Sequence, residues 1–203
     1  MKRLLCAILI AVTLLLALGG CNILANEKNT VGKSNNTVVT LYKSLVENFK
    51  LREKEGYHLY GVSSLVNSEN VGTYTFIYTD KRPDELNYSD ILIVEINNRT
   101  GRIEKFSSPE YAVYGQKPYS FIKTAMPLDP IAFKIDSDGA VKLAAQAHFG
   151  EKFLYNYIQT DVGYVGGQVV YDISHISLVY NCIYKTQINA MTGAIISSSV
   201  EDL

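Results

Sequence analysis

Residue types that often catalyse reactions or bind metals are scarce in this chain. Its three histidines lie at positions 58, 148 and 175, and none belongs to a His-Glu-x-x-His motif. Cys182, the candidate sulfur ligand, has no second cysteine at metal-binding spacing. The sequence therefore predicts neither a metal nor a cofactor. We expect structural roles for His58 and His175 in strands and for His148 at a helix end, where a cation complements the helix dipole.

A catalytic nucleophile is equally hard to find. Cys182 would need a base and surroundings that lower its pKa, and its apolar neighbours favour a small buried side chain instead. Ser63 and Ser64 do not belong to a Gly-x-Ser-x-Gly elbow. We therefore expect no enzymatic activity. A hydrolase that uses Cys182 or a histidine is the least favoured interpretation, and it requires Cys182 and His175 to lie within hydrogen-bonding distance.

Two further groups of residues have suitable types but unsuitable spacing. Gly163, Gly166 and Gly167 lie between two predicted strands, and no Lys-Ser or Lys-Thr follows them. They therefore predict a hairpin loop and not a phosphate-binding loop. The acidic residues of segment 80–90 lack the spacing of calcium ligands, so a solvated loop is expected there.

Chemistry of another kind is indicated at Cys21. The preceding residues contain Lys2 and Arg3, an apolar run at 4–18 and two glycines, which is the pattern of an export signal. The apolar run, about 15 residues, is short for a membrane-spanning helix, which needs about 20. Its end, Leu-Gly-Gly-Cys, resembles the lipobox of bacterial lipoproteins. The resemblance implies a signal peptide at 1–20 and acyl chains such as palmitate on Cys21.

Lipid on Cys21 would also determine where the protein is found. Two or more acyl chains suffice for stable anchoring, so we expect attachment to the extracytoplasmic face of the cell membrane. Removal of Lys2 and Arg3 leaves 17 of the 19 basic residues against 20 acidic ones, a net charge near −3. A mildly acidic domain is a poor partner for nucleic acids. The polar composition of residues 21–35 predicts a flexible tether.

Hydrophobic periodicity predicts the same order of elements twice. In a first unit, residues 36–106, an apolar stripe predicts a helix over 37–55, with Asn35 or Asn36 as its N-cap. In a second unit, residues 136–203, Ser137 is predicted to cap a helix over 138–149. Strands follow each helix. They are predicted at 57–66, 74–79, 91–97 and 103–106, and then at 153–160, 169–178, 183–189 and around 195–196.

The connector between the units, residues 107–135, holds four of the five prolines together with apolar and tyrosine side chains. Such a segment is too apolar to leave in water, so we expect it to lie extended across one or both units. Each unit alone has about 70 residues, a size at which stability is marginal. The connector is therefore expected to pack the two units together.

Two hairpin tips share the pattern Ile-Asn-x-x-Thr-Gly-x-Ile, at 96–103 and 188–195. In each tip a polar turn follows a strand end, and the glycine permits a positive φ. The residues expected to shape these turns are Thr100, Gly101, Thr192 and Gly193. Because the pattern and the element order both recur, the sequence indicates a duplicated module.

The second unit resembles the PepSY module. The resemblance rests on Ile-Asp-Ser-x-x-Ala at 135–140, then strands, then the hairpin at 188–196. The first unit lacks Ser-x-x-Ala, and both hairpins have Asn, Asn97 and Asn189, where the family usually has Asp. The resemblance implies an α+β, cystatin-like fold of two tandem units, each with a helix packed on a roughly four-stranded antiparallel sheet. It also implies a role in binding or restraining secreted peptidases.

These patterns favour a non-enzymatic envelope lipoprotein that binds a protein partner, such as a peptidase. The alternative is a lipoprotein that binds a small molecule or an envelope polymer in the cleft between the two units. The 15 tyrosines, in a chain without tryptophan, fit either simple strand propensity or a tyrosine-lined recognition face.

Overall fold

The computed structural model describes residues 36–49, 56–79, 91–107, 126–149 and 154–203. The predicted signal peptide, Cys21 and the tether lie outside the described residues, as do segment 80–90 and most of the connector. The described residues all belong to one unit of the chain, Val31–Leu203. We call residues 36–107 of this unit the N-terminal half and residues 126–203 the C-terminal half.

The described residues form two helices and eight strands in the order helix, four strands, helix, four strands. The helices are α1 (Val38–Phe49) and α2 (Ser137–Phe149), and a short 3₁₀ helix, Pro130–Ala132, precedes α2. The strands are β1 (His58–Asn67), β2 (Gly72–Thr79), β3 (Ile91–Asn97), β4 (Ile103–Ser107), β5 (Tyr157–Val165), β6 (Gln168–Ser177), β7 (Cys182–Asn189) and β8 (Ile195–Asp202).

All eight strands belong to one antiparallel sheet in the order β4-β3-β2-β1-β5-β6-β7-β8. The predicted α+β class is therefore confirmed, whereas the expectation of a separate four-stranded sheet in each unit needs correction. The first strands of the two halves pair with each other, with Val62 opposite Val162 and Asn67 opposite Tyr157. This pairing satisfies backbone groups that two separate sheets would expose along β1 and β5.

Both helices cover the same face of the sheet, and their apolar stripes enter one continuous core. Leu41 and Leu45 of α1 are each 1 % exposed, as the predicted stripe requires. The stripe of α2 consists of small residues, and its Ala140 and Ala144 are fully buried. Because alanines allow close approach, α2 lies near β6, β7 and β8.

Strand β8 is longer than predicted. The sequence pattern indicates a strand only around 195–196, but β8 continues to Asp202 and pairs with β7 along that length, Thr186 opposite Ser198 and Cys182 opposite Asp202. All eight of its residues are exposed. With neither face buried, the strand has no alternation of apolar and polar residues that sequence reasoning could detect.

The described end of the connector contacts both halves. The Leu128 N–H donates to the Leu59 carbonyl of β1 at 2.7 Å, and the Leu128 side chain is buried. Seven residues later, the Ile135 N–H donates to the Ala190 carbonyl in the β7–β8 turn at 3.3 Å. The segment therefore crosses from the first strand of the N-terminal half to the last turn of the C-terminal half.

Candidate functional site

A cleft of about 730 Å³ lies where the starts of the two helices meet over the central strands. Its floor contains Ser64 of β1 and Thr160 of β5, which are directly opposite each other and both buried. The walls carry mixed polar and aromatic side chains. They include Thr37, Thr40, Tyr74, Asp136, Lys142 and Tyr155.

The rim of this cleft is built by hydrogen bonds between the two halves. The Asp136 carboxylate, just before α2, accepts bonds from the N–H of Val39 at 3.1 Å, from the N–H of Ser137 at 2.7 Å and from the Thr37 hydroxyl. The Ser137 hydroxyl oxygen accepts a bond from the Val38 N–H at 3.1 Å. Residues of the C-terminal half therefore cap the helix of the N-terminal half.

This arrangement corrects the predicted helix caps. Asn35 lies outside the described residues, and the Asn36 side chain donates to the Asn98 carbonyl instead of capping α1. Ser137 is predicted to cap α2, but its hydroxyl accepts a hydrogen bond from the first turn of α1. The Asp136 and Ser137 acceptors lie 97 to 99 positions from the N–H groups that they bind. A local pattern such as Asp-Ser before a helix signals a cap, but it does not reveal which helix is capped.

The electrostatics of the cleft disfavour an anionic ligand. A helix start attracts negative charge, and here the Asp136 carboxylate already supplies it to both helices. Next to Ser137, burial raises the pKa of Tyr74, and a hydrogen bond with Ser137 only partly opposes this effect. Tyr74 is therefore a neutral phenol at physiological pH. A neutral polar molecule suits such a site better than an anion does.

The two hairpin tips are built from the same hydrogen bonds. The side-chain oxygen of Asn97 accepts bonds from two turn N–H groups at 3.0 and 3.2 Å, and that of Asn189 does so at 2.9 and 3.0 Å. The hydroxyls of Thr100 and Thr192 each accept a bond, at 3.2 Å, from the N–H two residues later. These side chains hold the turns and leave no group organised for chemistry there.

Gly101 and Gly193 complete the two turns. Their φ angles are 66° and 76°, in the left-handed region that glycine adopts without strain. Each glycine N–H donates to the carbonyl of the turn asparagine at 2.8 Å. The four Thr and Gly residues of the repeated pattern therefore shape the turns.

Each hairpin tip also holds the chain that enters the helix of its own half. The Asn98 carbonyl accepts the bond from Asn36, two residues before α1. The equivalent carbonyl, that of Ala190, accepts bonds from the N–H groups of Lys134 and Ile135, just before α2. The repeated hairpins thus fix where the two helices start, and so they position the cleft.

The histidines and Cys182 do not form an accessible catalytic pair. His175 lies opposite Tyr184, and Cys182 lies opposite Ser177, so His175 and Cys182 are diagonal neighbours on the helix-covered face. His175 is fully buried and Cys182 is 6 % exposed, so a substrate reaches neither. Burial lowers the pKa of His175 to about 4, and the nearby His148 adds to this effect. His175 is therefore neutral at pH 7.

His148 and His58 have different surroundings. The Nε2 atom of His148, at the end of α2, lies 3.1 Å from the Lys185 carbonyl and 2.8 Å from the Thr186 hydroxyl. It is also 2.9 Å from the Ser198 hydroxyl of β8. His148 thus joins the helix end to β7 and β8. His58 is exposed at the start of β1.

The opposite face of the sheet carries a polar row that the sequence did not reveal. One residue from each strand contributes, and neighbours in the row are paired across the strands. The row is Lys105, Glu95, Thr75, Ser63, Asp161, Asp172, Gln187 and Ser197. Burial raises the pKa of Asp161, and the facing Asp172 adds to the increase. These residues come from eight strands, so no sequence spacing identifies them.

The serines and glycines considered as candidate site residues lie in ordinary strand and turn positions. Ser63 and Ser64 point to opposite faces of β1, and Gly166 and Gly167 form the β5–β6 turn, whereas Gly163 lies within β5. Among the described residues, no group of three or more His, Cys, Asp or Glu side chains could hold a metal ion. Nor does any helix in the described ranges have the length and apolar character needed to cross a membrane.

The described residues define an α+β fold with an eight-stranded antiparallel sheet and two helices whose starts frame a cleft. No family model matches the chain, and no curated protein matches it. Among solved structures it is similar to one from Clostridium difficile 630, described as a candidate lipoprotein. The identity is 12 %, the TM-score is 0.53, and the match covers 82 % of this chain and 100 % of that one. At this identity the similarity shows a shared fold.

Proposed function

We propose that the protein is a non-enzymatic lipoprotein, anchored through Cys21 to the extracytoplasmic face of the cell membrane, that binds an extended segment of another envelope protein along β8. The lipobox-like sequence before Cys21 supports the anchor, and the neighbour described as a candidate lipoprotein shares the fold. The observation that carries the binding function is the exposed edge of the sheet at β8.

The two edges of the sheet differ in their protection. Edge β4 has five residues and carries Glu104 and Lys105, and short charged edges resist pairing with other chains. Edge β8 has eight residues, all exposed, with apolar side chains at Ile195, Ile196 and Val200. A long edge without lysine or proline accepts an added strand through main-chain hydrogen bonds. We therefore place the protein partner on β8.

The PepSY resemblance indicates what kind of partner this is. In this proposal each half of the sheet is one PepSY-like unit, and the two units have fused through the β1–β5 pairing. Two features support a duplication: the strand order is symmetric about that pair, and the hairpin tips share their hydrogen bonds. By the same resemblance, the partner is a secreted peptidase or another envelope protein, which docking restrains.

The binding proposal is tested by capture from an envelope extract with the full lipidated chain. Wild-type protein should retain a stoichiometric peptidase or other envelope protein. Ser197→Lys, which adds a charge to the exposed edge of β8, should abolish this capture. The matched control, Glu104→Lys on β4, should not. Equal capture by both variants would place the partner elsewhere.

The anchoring proposal has a separate test. Cys21→Ser removes the acceptor for lipid and should move the protein from the membrane fraction to the soluble fraction. The same substitution at the buried Cys182 should leave the distribution unchanged. Full membrane retention of the Cys21→Ser variant would rule out a lipoprotein.

A second function is favoured by the cleft between the helices. Its volume, about 730 Å³, and a lining rich in hydroxyl and amide side chains suit a small molecule or a stretch of uncharged envelope polymer. A bound glycan or small ligand in the purified protein, without any protein partner, would support this alternative. Val141→Phe narrows the cleft and should reduce retention of that ligand, whereas Ser197→Lys should not.

A further inference from the structure

The turn between β6 and β7 exposes three apolar side chains in succession. Leu178, Val179 and Tyr180 are 59 %, 64 % and 55 % exposed. The turn is nevertheless well defined, because the Leu178 N–H donates to the Asn156 side chain at 2.8 Å and the Tyr180 N–H to the Ser177 hydroxyl at 3.3 Å. The backbone thus holds these side chains outward in a fixed arrangement.

Neighbouring turns of the same sheet have the usual polar composition. The β1–β2 turn contains Ser68, Glu69 and Asn70, and the β5–β6 turn consists of two glycines. Polar residues and glycine favour turns for local reasons, and Leu, Val and Tyr do not. The apolar content of the β6–β7 turn therefore requires another explanation, and contiguous exposed apolar residues indicate a surface that contacts something.

A continuous set of hydrogen bonds connects this turn with the entry of the chain from Cys21. Asn36, the first described residue, bonds to the Asn98 carbonyl in the β3–β4 turn. The Asn98 side chain donates to the Asn70 carbonyl of the β1–β2 turn at 2.6 Å. In that turn the Ser68 N–H donates to the carbonyl of Asn156, the residue whose side chain holds the β6–β7 turn. Asn36, where the chain enters the described domain, and the apolar β6–β7 turn therefore lie at the same end of the sheet.

The position of the β6–β7 turn indicates which surface it contacts when the protein is anchored. Only 14 residues separate Cys21 from Asn36, and they reach at most about 50 Å when fully extended. The chain that follows Cys21 therefore joins the described domain at Asn36, which is held at the end of the sheet that carries the β3–β4 turn. The three β6–β7 turn residues lie at that end.

We propose that Leu178, Val179 and Tyr180 contact the membrane surface and orient the anchored domain with this end of the sheet toward the bilayer. This inference rests on the proposed lipid anchor at Cys21. Leucine and valine gain from burial among acyl chains, and tyrosine is suited to the interface because its ring is apolar and its hydroxyl polar. Arg99 and Glu69, both at this end, lie 3.6 Å apart as an ion pair, so the test uses vesicles of a zwitterionic lipid.

The test uses the full lipidated chain in phosphatidylcholine vesicles that contain a nitroxide-labelled lipid. An environment-sensitive fluorophore is attached at Val179→Cys or, as the matched control, at Met191→Cys in the β7–β8 turn of the opposite end. The lipid nitroxide should quench the fluorophore at 179 and leave that at 191 unaffected. Wild-type chain treated with the same reagent checks that the buried Cys182 stays unlabelled.

The outcomes separate this inference from the anchor. If the protein floats with the vesicles but the fluorophore at 179 is not quenched, the anchor stands and the membrane contact is overturned. Equal quenching at 179 and 191 also overturns it, because the domain then has no fixed orientation. A chain that does not float overturns both proposals.

Discussion

The two halves of the sheet have the same backbone plan but fill it with different side chains. Close to the hairpin tips they agree: Tyr74 lies opposite Ile96 in the N-terminal half, and Tyr171 lies opposite Ile188 in the C-terminal half. Two residues further from the tips, the paired side chains differ. Phe76 faces Val94 in the N-terminal half, whereas Ile173 faces Thr186 in the C-terminal half. Two further along, Tyr78 faces Leu92, whereas His175 faces Tyr184. The halves thus coincide close to the hairpin tips and diverge away from them.

The helices show the same divergence. α1 fills its part of the core with Leu41 and Leu45, whereas α2 contributes Ala140 and Ala144. The sheet beneath α2 fills the space that these small side chains leave with Tyr171, whose ring centroid lies 5.9 Å from that of Phe133. Burial raises the pKa of Tyr171, and its hydroxyl donates to the Ile135 carbonyl at 3.1 Å. The comparison teaches that the hairpins and the helix starts define the shared fold, and that each half contributes different side chains to the common core.

The largest expected effect is in the core of the N-terminal half. Leu45→Ala removes a side chain that is 1 % exposed, and filling the resulting cavity would require the whole helix to move. We expect a loss of about 2–5 kcal/mol in the free energy of unfolding. Urea denaturation followed by circular dichroism measures it. The exposed Lys43→Ala on the same helix is the control, and an equal loss in both variants would show that α1 does not pack as described.

His175 makes the C-terminal half sensitive to acid. Its pKa is about 4 in the folded protein and about 6.5 when unfolded, so between these values only the unfolded chain binds the proton. Stability is therefore full above pH 6.5 and falls as the pH drops toward 4. From pH 7 to pH 5 the free energy of unfolding should fall by about 2 kcal/mol more in wild type than in His175→Gln. Circular dichroism during urea denaturation at the two pH values measures the difference, and an equal fall in both proteins would show that His175 is not responsible.

Much of the fold follows from the sequence because its signals are local. The spacing of Leu41 and Leu45 predicts α1, and the repeated Asn-x-x-Thr-Gly pattern predicts both hairpins. These features depend on side chains within one or two turns of each other. The sequence predicts only the start of β8, around 195–196, because neither face of the strand is buried and its serines show no pattern.

The residues that line the cleft could not be predicted in the same way. Its floor joins Ser64 with Thr160, and its rim joins Thr37 with Asp136, pairs that are almost 100 positions apart. Both depend on the β1–β5 pairing, which replaces the expected pair of separate sheets. Strand pairing across such a separation follows from burial and from the satisfaction of backbone groups in the whole molecule, which no local window contains.

The hairpins test whether the halves are truly equivalent. Gly101→Ala and Gly193→Ala each force a residue with a Cβ into the left-handed region, and we expect a loss of about 1–2 kcal/mol from each. A Cβ at position 193 would meet only the Ile135 side chain, at 3.9 Å, so the cost comes from the backbone. Gly193→Asn should lose less, because asparagine tolerates this region. Very different losses at the two glycines would show that the turns have diverged despite their common hydrogen bonds.

The smallest effect concerns the contact that joins the halves. Asp136→Asn keeps the shape of the side chain but removes the charge that caps α1 and α2, and we expect a loss of about 1 kcal/mol. Asp138→Asn, at the exposed Asp138 that lies 3.6 Å from Lys142, should cost almost nothing. Hydrogen exchange provides the decisive measurement: Asp136→Asn should deprotect the Val39 amide in the other half, whereas Asp138→Asn should not. Unchanged protection of Val39 would mean that α1 does not depend on Asp136 for its cap, and that the halves are joined by the β1–β5 pairing and the core alone.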